Sequence, residues 1–198
     1  LLQVLNKAQR ATRQAEDKLE LSKEIAVVAE TKAGNATKAI DAWKQVLRAD
    51  PKNEDARNGL RRLYEEAPQW NALLDLLKSD IEAIPEENIE GRVGVMKQMV
   101  TIYRDKLSHD PMVINTYNGI LRIDPDNEEA LEELSKVYES LGRFSDLTRI
   151  LERRAKLAED HDEKIILLSD VATLWIERFN NLNKAVEPLE QILELDPA

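Results

Sequence analysis

The chain has 198 residues, of which 42% are hydrophobic and 33% charged, and its 38 acidic against 28 basic residues give a formal net charge of −10. This balance is typical of a folded, helix-rich chain. It disfavours nucleic acid as a partner, because the phosphate backbone is also negative. The lack of cysteine excludes disulfides, zinc–thiolate sites and cysteine nucleophiles.

Membrane insertion is not expected, because apolar runs such as Ile165 to Leu168 are far shorter than the roughly 20 residues that a spanning helix needs. No charged stretch followed by an apolar core indicates a targeting segment near Leu1. The compartment is therefore left open, with a soluble, cytoplasmic protein slightly favoured.

Apolar residues at helical spacing predict helices along the whole chain. Ala56, Leu60, Leu63 and Tyr64, for example, follow the pattern of a helix buried on one face. Pro188 falls inside the last such pattern and is expected to bend that helix or remove a hydrogen bond. We predict eleven helices, at about residues 1–12, 15–33, 36–49, 53–66, 69–83, 88–107, 111–123, 127–141, 144–158, 161–179 and 183–195.

Polar residues and glycines mark the ends of these helices. Asn53 and Asn127 occupy N-cap positions and are followed by acidic residues, which suit the positive end of a helix. Asp110 before a proline is predicted as a further N-cap. Gly34 and Gly142 fall at predicted helix ends, where glycine accepts a left-handed backbone.

The sequence repeats internally. Asp-Pro pairs occur at Asp50-Pro51, Asp124-Pro125 and Asp196-Pro197, so that their spacings are 124 − 50 = 74 and 196 − 124 = 72. This repetition predicts one helical-repeat domain over residues 1–198, with units at about 1–50, 51–124 and 125–198. Because the chain begins inside one repeat and stops at an Asp-Pro pair, we expect it to be a piece of a longer array, truncated at both ends.

Paired helices joined by short turns resemble the tetratricopeptide-repeat family. The hairpin at 127–158 matches best, through Leu134, Tyr138, Gly142, Phe144, Leu147 and Leu151 at the family's packing positions. The departures are Pro68 in place of the turn glycine, Leu73 and Leu147 where the family favours alanine, and the long helices at 88–107 and 161–179. The resemblance implies an all-α solenoid of stacked antiparallel helix hairpins.

No catalytic, cofactor or metal site is expected. His109 and His161 are far apart in sequence and lack ligand spacing, and no glycine-rich phosphate loop is present. The recurring aromatics are expected in the core rather than against bases or cofactors. The basic segment from Arg143 to Lys156 has two interpretations: a nucleic-acid stripe, or a salt-bridged outer face, which its acidic neighbours favour.

The resemblance does suggest a partner-binding surface, because the first helix of each hairpin lines the family's concave groove. On this chain that face would carry Asn58, Arg62, Lys97, Thr101 and Arg104. The corresponding face of the helix at 127–141 is acidic, so the groove would change sign along its length. Three of these residues are cations that would converge on an acidic segment of a partner; the alternative is that they pair with acidic neighbours such as Glu65, Glu66 and Asp105.

The expected function is therefore that of a scaffold that binds a protein or peptide segment, possibly an acidic one, in its groove. The alternative is a structural or autoregulatory arm of a larger multidomain protein. Catalysis and RNA binding rank below both, since the chain offers no nucleophile, metal or phosphate motif and is acidic.

Overall fold

The computed structural model describes residues 1–31 and 34–197, and its regular elements in these ranges are all helical. Two of the helices, α6 and α10, end in a π-helical turn, at Ile102–Lys106 and Leu174–Arg178. The α-helices are α1 (Leu2–Ala11), α2 (Ala15–Thr31), α3 (Ala36–Ala49), α4 (Glu54–Glu66), α5 (Trp70–Ala83), α6 (Ile89–Thr101), α7 (Asp110–Ile123), α8 (Glu128–Ser140), α9 (Phe144–Leu157), α10 (His161–Thr173) and α11 (Leu182–Leu195).

The predicted all-α fold and its eleven helices are confirmed within the described residues, and the last two residues of the predicted helix 15–33 lie outside them. One predicted cap is wrong. Asp110 is the first residue of α7, and His109 occupies the N-cap without a side-chain hydrogen bond. Pro111 still lies in the first turn, where its missing N–H costs no hydrogen bond. The last helix continues through Pro188, which is buried.

The chain divides into two compact units. The first, Leu1–Glu86, holds α1 to α5, and each of these helices packs against the next one along the chain. Trp43 of α3 lies directly on the backbone of α4, because a Cβ added to Gly59 would be only 2.6 Å from the Trp43 Nε1. Asn53 caps α4 as predicted, since its Oδ1 accepts a hydrogen bond from the Ala56 N–H at 3.0 Å.

The second unit, Glu87–Ala198, holds α6 to α11, again with consecutive helices in contact. Tyr138 of α8 lies at its centre with 2% of its surface exposed, and its hydroxyl accepts a hydrogen bond from the Asn118 Nδ2 of α7 at 3.2 Å. Asn127 caps α8 in the way that Asn53 caps α4, with 3.0 Å from the Ala130 N–H to its Oδ1. Alternating helices of each unit thus face a common neighbour.

The turns that end the longer helices share a left-handed backbone. Gly34, Ser108 and Asn180 have φ angles of 54°, 48° and 49°. Their separations are 108 − 34 = 74 and 180 − 108 = 72, which equal the spacings of the Asp-Pro pairs. The N–H of the residue that follows each one bonds back six residues, as in a Schellman cap: His109 N to Tyr103 O and Asn181 N to Trp175 O, both at 2.8 Å.

Candidate functional site

The predicted groove residues of the first unit lie on α4. Asn58 and Arg62 are one helical turn apart, and both reach the surface of the helix. The Arg62 guanidinium reaches across to α2, where its Nε donates to Glu30 Oε1 at 2.8 Å. The acidic partner of Arg62 is therefore on a neighbouring helix, rather than at the predicted Glu65 or Glu66.

The predicted groove residues of the second unit lie on α6 and its π-helical turn. Lys97 Nζ lies 2.5 Å from Glu129 Oε2 of α8, and Arg104 Nη1 lies 3.0 Å from Glu133 Oε2 of the same helix. Glu129 and Glu133 are one turn apart, so the two pairs form successive rungs between α6 and α8. We call these four residues the α6–α8 ladder. Thr101 is exposed between the two cations, and its hydroxyl donates to Lys97 O at 3.2 Å.

Glu133 is the centre of this charge arrangement. Its Oε2 contacts Arg104, while its Oε1 lies 2.8 Å from Lys136 Nζ. Arg104 also pairs with Asp105, 3.1 Å away, and this hydrogen bond is the main cause that raises the pKa of Arg104. Lys136 contacts Glu132 as well, and these two carboxylates raise the pKa of the Lys136 ammonium. The surface is thus a lattice of opposite charges with its polar atoms open to solvent.

The ladder does not bring all the predicted cations together. Lys97, Thr101 and Arg104 share one face in the second unit, whereas Asn58 and Arg62 belong to the first unit. Convergence of the three cations on one acidic segment stays a prediction. The predicted change of sign between neighbouring helices takes the form of direct ion pairs from α6 to α8.

An open cleft of about 830 Å³ lies beside Lys97, between the first half of α6 and the turn that precedes α8. Ile89 and Val93 supply apolar surface, and Asp124 and Asn127 supply polar groups from the turn. Gly94 forms the floor: no described atom comes within 4 Å of a Cβ built on it, apart from its own chain neighbours and helix backbone. Sequence reasoning missed this cleft, although a glycine in a helix interior is a destabilising choice that signals close approach or open space.

A second feature that sequence reasoning missed is the buried carboxylate of Asp80 on α5, which is 5% exposed. It contacts the guanidinium groups of both Arg57 and Arg61 of α4. Arg57 also donates from Nη2 to Pro51 O at 2.6 Å. Burial, and then the neighbouring Arg57, lower the pKa of Arg61. This network ties α4, α5 and the Asp50-Pro51 turn together.

The basic segment on α9 is ion-paired. Asp146 lies 2.5 Å from Arg143 Nη2 and 3.1 Å from Arg149 Nη2, and Arg154 contacts Glu163 of α10 at 3.5 Å. These contacts favour the interpretation as a salt-bridged outer face over that of a nucleic-acid stripe.

The two histidines are exposed and lie on different turns, His109 before α7 and His161 at the start of α10. Among residues 1–31 and 34–197, no group of three or more His, Asp or Glu side chains is arranged to hold a metal ion. None of the helices in this same part of the chain has the length and apolar character that crossing a membrane requires.

Comparison with known proteins relates the helical arrangement to tetratricopeptide repeats. No family model matches the sequence, and no curated protein matches it. Among solved structures, MamA is 19% identical over 92% of this chain and 93% of its own, with a TM-score of 0.42. YrrB, described as a TPR protein with an unusual peptide-binding site, is 13% identical over 100% of this chain and 94% of its own, with a TM-score of 0.43.

A third similar structure is a thermophilic TPR protein from Thermus thermophilus, 17% identical over 93% of this chain and 92% of its own, with a TM-score of 0.35. The chain resembles the tetratricopeptide-repeat family, as its sequence predicts. At these identities the likeness concerns the fold alone and assigns no partner.

Proposed function

We propose that the chain is a protein-interaction scaffold that binds rather than catalyses, and that the α6–α8 ladder with its adjoining cleft takes a segment of a partner protein. The observation that supports this proposal is the combination of two solvent-exposed ion pairs with an open, partly apolar cleft immediately beside Lys97. Ladder and cleft offer a bound segment both charge register and an apolar anchor, which are the two requirements of peptide recognition in a groove.

The ion pairs of the ladder suit exchange with a partner. An exposed pair contributes only about 0–1 kcal/mol to stability, so a carboxylate from a partner can replace Glu129 or Glu133 at little cost. An acidic segment would then face Lys97 and Arg104, which lie seven residues and about 10 Å apart along the helix. The displaced glutamates remain available to basic residues of the same segment, which fixes its direction.

The cleft over Gly94 suits one apolar side chain of that segment. Ile89 at its edge is 42% exposed, and Val93 lies beneath it. Covering this apolar surface contributes roughly 25 cal/mol for each Å² removed from water. At the position 72 residues further on, α10 carries Ile166 in place of glycine, so the cleft is a particular feature of α6.

A variant of the ladder with swapped polarity tests the proposal. Lys97→Glu and Arg104→Glu combined with Glu129→Lys and Glu133→Arg keep both ion pairs and the fold, but reverse the charges that a partner meets. Gly94→Ile fills the cleft and removes a helix-destabilising glycine. We expect each variant to retain at least about tenfold less partner than the wild-type chain in affinity capture from cells of the source organism, quantified by mass spectrometry.

The matched control is Arg149→Glu with Lys156→Glu on α9, two exposed cations with the same seven-residue separation. It should capture partners as the wild-type chain does. Arg62→Glu, tested separately, reports whether the predicted cation of the first unit contributes. Capture that survives both the polarity swap and Gly94→Ile, with circular dichroism unchanged, contradicts the proposal. If the captured segment belongs to the same polypeptide, the alternative role as an autoregulatory arm is correct.

A further inference from the structure

The last helix presents an apolar stripe to solvent. Leu182, Val186, Leu189 and Leu193 follow the spacing i, i+4, i+7, i+11, which places them on one face of α11. Each of them is between 43% and 66% exposed. The opposite face packs on α10 and on its π-helical turn. The stripe is therefore the part of α11 that no described helix covers.

The internal repeat shows what such a stripe normally contacts. Seventy-two residues earlier, Ile114, Tyr117 and Leu121 of α7 occupy the positions of Val186, Leu189 and Leu193, and all three are buried. They face α8, because α7 packs on α8 and the glutamates of α8 act electrostatically on Tyr117.

The same position in α3 is Trp43, which lies on the backbone of Gly59 in α4. The stripe on α11 is thus the surface that receives an amphipathic helix of the α4 or α8 type in the other two repeats.

The flank beside the stripe differs in charge from those of its counterparts. Glu187, Glu190 and Glu194 lie along one side of the stripe on α11, and all are exposed. The corresponding side chains are Asp41, Lys44 and Arg48 on α3, and Asn115, Asn118 and Arg122 on α7. A flank that is partly basic on α3 and α7 is wholly acidic on α11.

The contacts of α3 show which part of the docked helix meets this flank. Lys44 Nζ lies 5.8 Å from the centroid of the Tyr64 ring on α4. Tyr64 shares its face of α4 with Arg57 and Arg61, since the three are spaced i, i+4, i+7. Glu190, at the position of Lys44, would therefore meet the side of a docked helix where α4 carries its arginines.

We propose that the outer face of α11 binds an amphipathic helix whose apolar residues fit the stripe and whose adjacent side carries arginine or lysine. Acidic residues beside an apolar stripe select a basic helix by charge complementarity and disfavour an acidic helix such as α8. This surface is separate from the α6–α8 ladder, and the inference does not depend on the function proposed for the ladder.

Two peptides cut from this chain provide a matched probe. Residues 53–67 carry the apolar pattern of α4 with Arg57 and Arg61, and residues 127–141 carry the same pattern with leucine and serine at those places. Each is made as a helix fixed by a Glu–Lys lactam on its exposed side, labelled with a fluorophore and titrated with the chain in an anisotropy assay. We expect the α4 peptide to bind about tenfold more tightly, the effect of two exposed ion pairs.

Variants of both partners assign the binding to this face. Arg57→Leu with Arg61→Ser in the α4 peptide should remove its advantage, and Glu190→Lys with Glu194→Arg in the chain should do the same. Leu189→Asp should abolish binding of both peptides. Equal affinity of the two peptides, absence of binding to the wild-type chain, or binding unaffected by Leu189→Asp overturns the proposal. A concentration-dependent dimer in sedimentation that Leu189→Asp dissolves would assign the face to a second copy and would overturn it as well.

Discussion

Asp80→Ala leaves the guanidinium groups of Arg57 and Arg61 without the carboxylate that both of them contact in the first unit. Breaking a buried ion pair by removing one partner typically costs 3–5 kcal/mol, because a charge is left buried and uncompensated. The side chain of Arg57 is 13% exposed and that of Arg61 is 34% exposed. Since Arg61 reaches solvent, we expect the lower end of this range, a loss of about 3 kcal/mol.

A compensated variant separates the charge effect from lost packing. Arg57→Leu and Arg61→Ser introduce the residues that α8 carries 74 positions later, and Asp80→Leu fills the site of the carboxylate. Replacing a buried ionic group by apolar residues of similar volume is often neutral or stabilising. We expect this triple variant to lie within about 1 kcal/mol of the wild-type chain, and so to be more stable than Asp80→Ala alone.

Urea unfolding followed by tryptophan fluorescence measures both effects. Trp43 and Trp70 belong to the first unit and Trp175 to the second. In a Trp175→Phe background the signal reports the first unit, and linear extrapolation gives its free energy of unfolding. A loss below about 1 kcal/mol for Asp80→Ala, or a triple variant as unstable as the single one, refutes the reasoning that Asp80 compensates two buried cations.

Three further predictions concern packing, pH and local stability. Tyr138→Ala should cost about 3–5 kcal/mol in urea melts because the ring is buried, and Tyr138→Phe only about 1 kcal/mol for the lost Asn118 bond; equal losses would contradict this. Burial, and then Glu133, raise the pKa of Tyr117, so its contribution to stability is complete below about pH 10 and is lost as the pH rises towards the folded-state value. Tyr117→Phe should flatten this decline in the urea midpoint. Amide exchange should be faster in α1 and α11, whose apolar faces are partly exposed, than in α8, and equal protection would be inconsistent with that exposure.

The local features of the fold follow from the sequence because their causes are local. Asn53 and Asn127 act as caps through hydrogen bonds only three residues away, and Gly34 and Gly142 adopt the left-handed backbone that glycine favours. The left-handed Ser108 was not predicted, because a serine at that position carries no such signal. Its place becomes recognisable only when the 74-residue repeat aligns it with Gly34.

The contacts between helices are harder to predict, because they depend on which faces meet. Arg62 pairs with Glu30, which is distant in sequence, rather than with the adjacent Glu65 or Glu66. Asp80 reads as an ordinary polar residue until α4 places two arginines over it. Long-range pairing of this kind requires the relative rotation of two packed helices, which apolar periodicity alone does not fix.

Site-specific photocrosslinking tests the proposed scaffold function most directly. Benzoylphenylalanine in place of Thr101 lies between the two cations of the ladder, while the same group in place of Arg149 lies on the exposed side of α9. We predict that irradiation in source cells yields a crosslinked partner from position 101, that the polarity-swapped ladder abolishes this product, and that position 149 gives none. Crosslinking that is equal from both positions, or that persists at position 101 after the polarity swap, would contradict partner binding at the α6–α8 ladder.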